Sequence, residues 1–130
     1  MRGGAPRKFF SKMPQRENLL TKVDDFIKWF LPKVEKFPRN YKFLIGDRLV
    51  RIQIDLLENL IEAYYGKEKL PHLRTANINL EKLRRLLGIT TELRFLSLSQ
   101  LEFATRSLND IGSLVGGWIR QQEARPAGTV

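Results

Sequence analysis

The chain has 130 residues, no cysteine, and 23 Lys and Arg against 14 Asp and Glu, for a net charge of +9. That length suits one domain with a core of its own. The missing cysteines exclude a disulfide framework and any thiolate metal site, while the positive balance favours an acidic partner such as nucleic acid over a merely solubilising surface.

Residues 1–16 carry Arg2, Arg7, Lys8, Lys12 and Arg16, no acid and no periodic apolar pattern. They read as a flexible basic arm. They hold no apolar run of signal-peptide length. No later segment reaches the roughly 18 uninterrupted apolar residues of a membrane span, so the expectation is a soluble, cytoplasmic protein with no membrane partner.

The first helical pattern covers about residues 17–36. Leu20, Val23, Ile27, Phe30, Val34 and Phe37 repeat at three- and four-residue intervals, the spacing of one buried stripe. Pro32 lies inside it and predicts a bend or a break near Lys28–Pro32. Phe37-Pro38 ends the helix, because a residue before proline is pushed out of the helical region.

The second pattern runs from about residue 39 to 65. On a wheel at 100° per residue its apolar side chains span roughly 220°. Phe43, Val50, Ile54, Leu57, Ile61 and Tyr64 form one part, and Ile45, Leu49, Ile52, Leu56, Leu60 and Ala63 the other. A surface helix of a monomer needs an apolar stripe only a little over about 100° wide. This helix therefore needs cover on two sides, which points to assembly with further copies. Gly66 is placed to stop it.

The third pattern starts near Pro71, with Leu73, Ala76, Leu80, Leu83 and Leu87 as its stripe and Gly88 as its expected end. Thr90 or Thr91 is the expected cap of the fourth, which carries Leu93, Leu101, Ala104, Leu108, Ile111, Val115 and Trp118 to about Gln122. Gly112 and Gly116 share a face and are expected to admit a close neighbouring helix. Residues 123–130 read as a disordered tail. No alternating strand pattern appears. The fold class is all-α: an up-down-up-down four-helix bundle over residues 17–122.

A search for catalytic chemistry finds almost nothing. His72 follows Pro71 at a helix start and has no carboxylate at ligand spacing in its own turn, so it reads as a surface or capping residue. Leu44-Ile45-Gly46-Asp47 lacks the second glycine and the lysine of a phosphate loop. Asp55, Glu58 and Glu62 share a helix edge, but no Glu-x-x-His pair accompanies them. Asp47 is expected in a buried or semi-buried ion pair with Arg48, Arg51 or a Lys or Arg of another helix. No catalytic residue, metal ligand or cofactor is assigned.

Basic residues fall in two sets. One is Lys33, Lys36, Arg39, Lys42, Arg48 and Arg51; the other is Arg74, Lys82, Arg84, Arg85 and Arg94. Bases on neighbouring helices can neutralise phosphates. The candidate contacts to nucleic acid or a polymerase are Arg39, Lys42, Arg48, Arg51, Arg74, Lys82, Arg84, Arg85 and Arg94.

"DDFIKWFLPKVEKFPRNYKFLIGDRL" at 24–49, "LLENLIEAYYGKEKLPHL" at 56–73 and the last two helical segments carry a resemblance over about residues 17–122. They resemble the accessory variability determinant (Avd) family of diversity-generating retroelements. The combination Trp29, Leu31-Pro32, Lys36-Phe37-Pro38-Arg39 and Gly46-Asp47-Arg48 gives the likeness its specificity. The arm at 1–16 lies outside the family pattern. The resemblance implies a four-helix bundle assembled as a ring-like homopentamer with a positive surface. It implies association with the element's reverse transcriptase and its template RNA, or DNA, in support of mutagenic cDNA synthesis. It implies no chemistry of the protein's own. A sister branch of the superfamily, encoded in ribosomal RNA intervening sequences, offers the alternative of an rRNA-associated structural bundle. The arginine-rich, serine-proline segment of that branch is absent here.

Overall fold

A computed structural model describes residues 14–125. Most of the expected basic arm and of the expected C-terminal tail lies outside the described residues. The described chain is all-helical. Its four main helices are α1 (Arg16–Val34), α2 (Asp47–Tyr65), α3 (Leu70–Glu92) and α4 (Leu98–Glu123). A helical turn, Arg39–Tyr41, and a π-helical turn, Lys42–Gly46, lead into α2.

Contacts at the helix ends set the topology. Arg16 at the start of α1 bonds the Tyr65 hydroxyl at the end of α2. Arg74 near the start of α3 pairs with Glu123 at the end of α4 at 3.0 Å. Asn79 of α3 donates to Asn59 of α2 at 2.8 Å, and Trp29 of α1 packs on Phe103 of α4 with ring centroids 4.5 Å apart. Each helix thus runs antiparallel to the next, and α4 returns beside α1, as the short connections predict.

The core is one cluster drawn from all four helices. In α1 the buried side chains are Leu19, Val23, Phe26, Phe30 and Val34, with Phe37 just beyond. This corrects the predicted stripe by a small rotation: Leu20 and Ile27 sit at its half-buried edge. The cause is aromatic. Phe26 and Trp29 pack toward α4, with their own centroids 5.7 Å apart, and turn the helix that way. α1 also runs unbroken through Pro32. Proline removes one backbone donor, yet Lys33 lays its Nζ 4.3 Å from the Trp29 ring centroid and donates to the Trp29 carbonyl at 3.0 Å, which holds this turn together.

The predicted stripe of α3 is buried throughout. Its end differs from expectation. Gly88 does not stop the helix, which continues to Glu92. Leu87 and Thr90 are buried on either side of it, and full burial of one leucine contributes roughly 1.5–3 kcal/mol, more than the about 1 kcal/mol cost of a helical glycine. Thr90 and Thr91 are part of α3 and bond back to the Leu86 and Leu87 carbonyls at 2.6 and 2.8 Å. The stop is a Schellman motif: the Phe95 N–H donates to Thr90 O at 3.1 Å and the Arg94 N–H to Thr91 O at 2.9 Å. Arg94 holds the left-handed position at φ 68°.

The cap of α4 is Ser97, not a threonine. Its hydroxyl accepts from the Gln100 N–H at 3.1 Å, and the Gln100 side chain accepts from the Ser97 N–H at 2.9 Å. This reciprocal capping box is worth about 1 kcal/mol. Leu93 precedes α4 and is exposed; the rest of the expected α4 stripe is buried, apart from half-buried Leu101.

Gly46 explains how α2 meets α1. A Cβ there would lie 2.7 Å from Val34 Cγ1 and 3.4 Å from Phe37 Cδ2. Only glycine admits that approach without displacement. The π turn ending at Gly46 inserts an extra residue and leaves Phe43 and Leu44 pointing outward, 70% and 72% exposed.

Candidate nucleic-acid interface

The nine candidate bases do not form one surface. Two are bound locally. Lys42 Nζ spans the α1–α2 corner to Glu35 Oε1 at 3.1 Å. Arg51 Nε donates to Asp47 Oδ2 at 2.8 Å, and that bond, with the Asp47 charge, raises the Arg51 pKa further. The Asp47 pair expected from the sequence therefore exists, but Asp47 and Arg51 are both exposed rather than buried. Solvent and salt screen such a pair, so it adds little to stability.

Arg74 is held by Glu123 and lies near the start of α3, whereas Arg94 follows its end; the helix between Arg74 and Glu92 spans roughly 27 Å at 1.5 Å per residue. Arg84 turns toward α4. Its Nη2 donates to Leu108 O at 3.4 Å, and its Nη1 stands 3.6 Å from Glu81. The same Nη2 occupies the space a Cβ on Gly112 would need, at 2.8 Å. Gly112 thus makes room for the Arg84 side chain of α3, rather than for the close approach of a helix backbone that its spacing from Gly116 suggested. Gly116 faces only Arg120 of its own helix.

Arg39, Arg48, Lys82, Arg85 and Arg94 make no ion pair among the described residues. Arg48 of α2 joins Lys82 and Arg85 of α3 along one open groove of about 590 Å³, lined also by Ile52, Ile78, Glu81 and Leu86. The two basic sets of the sequence are therefore mixed in space. Arg39 and Arg94 lie at one end of the bundle, because Tyr41 packs on Phe95 with centroids 5.0 Å apart.

The other end is closed by internal bonds. Lys69 Nζ donates to the carbonyls of Ala63, Gly66 and Tyr64 at 2.7, 3.1 and 3.4 Å, neutralising the C-terminal dipole of α2. Burial, and then Arg125, lower the Lys69 pKa. The Tyr64 hydroxyl donates to Pro14 O at 3.0 Å, and burial pushes its pKa up to about 12. His72 Nδ1 stands 3.5 Å from Glu62 at this end, the surface placement its sequence context predicted.

The sequence matches the family model described as bAvd-like over residues 19–122. The chain belongs to the bAvd-like family. This is an accessory, not a catalytic, family. No curated protein and no solved structure matched the chain.

In this bAvd-like bundle, no three His, Asp or Glu side chains among the described residues gather as metal ligands would. No described helix is long and apolar enough to cross a membrane. Sequence reasoning did not find the groove floor, because Ile78 lies off the α3 stripe. Its isolation among Asn77, Asn79 and Glu81 was the available signal.

A second feature faces away from this groove. Gly46 against Val34 and Arg16 against Tyr65 fix the α1–α2 register. That register sets Leu20 level with Ile61, Ile27 with Ile54, and Leu31 with Val50. Leu31, Ile54 and Ile61 are exposed, so an apolar strip runs along the outside of the α1–α2 pair.

Proposed function

We propose that this protein is a non-catalytic accessory of a diversity-generating retroelement. It binds the element's reverse transcriptase and template RNA, or DNA, through its basic surface and supports mutagenic cDNA synthesis in the cytoplasm. It works without a cofactor, as a ring-like homopentamer. The observation that carries this reading is the family match over residues 19–122. The unpaired cations support the contact with nucleic acid. The strip from Leu31 to Ile61 supports assembly, since permanent interfaces between copies are flat and more apolar than the rest of a surface.

Two measurements test it. RNA affinity should fall steeply with salt, and Arg39→Glu with Arg94→Glu, two bases at one end of the bundle that are unpaired among the described residues, should weaken it and lower the log–log salt slope by about 1.4, the value for two contacts to a single strand. Lys42 and Arg51 are left intact in that variant because Glu35 and Asp47 already hold them. Ile54→Asp with Ile61→Asp should convert the ring to smaller species in the ultracentrifuge. An unchanged salt slope and a wild type that sediments as a folded monomer at micromolar concentration would refute the proposal.

A further inference from the structure

The geometry points to the α2–α3 groove as the docking site for one acidic, amphipathic helix of a protein partner. The inference rests on the reading that the basic surface meets a partner, and it names the chemistry of what one part of that surface meets. Three observations carry it.

First, the floor is apolar. Ile78 is 57% exposed at the groove, with Ile52 and Leu86 behind it. A phosphate backbone has no apolar surface with which to cover an isoleucine; a helix with leucine-like side chains on one face does. Second, the cations stand on both walls: Arg48 on α2, Lys82 and Arg85 on α3. All three lack an acidic partner among the described residues. A helix lying between the walls would carry its apolar stripe downward and acids on both flanks. The one acid of the groove, Glu81, is drawn toward Arg84 at 3.6 Å. Third, the two walls are antiparallel helices already packed together, and helix pairs accept a third helix between them by seating its ridges in their groove. The α1–α2 strip lacks such a rim of unpaired cations, so the two faces of α2 differ in the partner they fit. The strip suits another copy of the chain, and the groove suits an oppositely charged segment.

The test uses the full-length assembled protein and two fluorescently labelled designed helical peptides. Both have the same leucine stripe; one is flanked by glutamates and the other by lysines. Anisotropy should show the glutamate peptide binding at least about tenfold tighter, a difference near 1.4 kcal/mol. Lys82→Glu with Arg85→Glu should invert that preference. Ile78→Gln changes an exposed side chain, so the bundle should stay folded. It should weaken the glutamate peptide about tenfold while leaving affinity for single-stranded oligouridylate unchanged. Equal binding of the two peptides overturns the inference. So does loss of RNA binding with Ile78→Gln, which would make the groove a nucleic-acid site. Dissociation of the ring by the charge reversal also overturns it, because a second copy would then be the occupant. If RNA still binds with a steep salt dependence while both peptides fail, this inference falls and the proposed function stands.

Discussion

Arg94 is the only residue besides glycine with positive φ among the described residues, at 68°. In that conformation a Cβ crowds the following carbonyl, at a cost of roughly 1–2 kcal/mol. Glycine escapes the crowding but loses more backbone freedom on folding, so Arg94→Gly should gain about 1 kcal/mol. Arg94→Ala is the control. It removes the same guanidinium and keeps the Cβ. Because the Arg94 side chain is exposed and makes no ion pair among the described residues, the difference between the two variants isolates the backbone effect. For the roughly 110 residues from Pro14 to Arg125, at about 2.1 cal/mol/K each, the unfolding entropy is near 0.24 kcal/mol/K, so 1 kcal/mol moves Tm by about 4 °C. Thermal unfolding followed by circular dichroism should place the glycine variant about 4 °C above the alanine variant. Protein concentration must be held fixed, because the proposed assembly would make Tm depend on it. A glycine variant no more stable than the alanine one would refute the assignment of Arg94 to a strained helix stop. If Arg94 contacts RNA, both variants should lose affinity equally.

Two further outcomes follow from named contacts. Gly46→Ala should destabilise by about 1 kcal/mol net, because the overlap with Val34 outweighs the gain in helix propensity, whereas Gly88→Ala, where a Cβ meets nothing within 4 Å, should stabilise by about 1 kcal/mol; denaturant titration of both separates glycines that are needed from glycines that are not. The Tyr64 phenol, raised to about 12 from an ordinary value of about 10, keeps its proton in the fold after the unfolded chain has lost it. Its contribution is complete below pH 10 and is lost as pH climbs toward 12, so stability should decline across that window, and Tyr64→Phe should flatten the decline.

Much of the architecture was legible because helix periodicity is a local property. The α3 stripe from Leu73 to Leu87 repeats at helical spacing and is buried residue for residue. The excess apolar width of α2 also reads directly from its wheel, and the part of it away from the core carries exposed Ile54 and Ile61. Helix ends were less legible. Gly88 and the Thr90-Thr91 pair look like punctuation, yet burial of Leu87 and Thr90 outweighed them. The true cap, Ser97 with Gln100, has the box spacing that marks a helix start, and the threonines masked it. In α1 the expected stripe through Leu20 and Ile27 gave way to one through Leu19 and Phe26, because the aromatic contact with α4 sets the rotation of the helix.

The candidate interface divides the same way. Which residues are basic, and that they outnumber the acids, belongs to the amino-acid sequence alone. So do the apolar periods that make four helices. Which bases are free did not follow from it. Lys42 is held across the corner by Glu35, Arg74 by Glu123 and Arg84 over Gly112, through partners 7, 49 and 24 residues away for their closest bonds. Arg48 meets Lys82 and Arg85 only because α2 and α3 pack side by side. Charge is a property of each residue, whereas pairing depends on distances that exist only once distant segments are brought together.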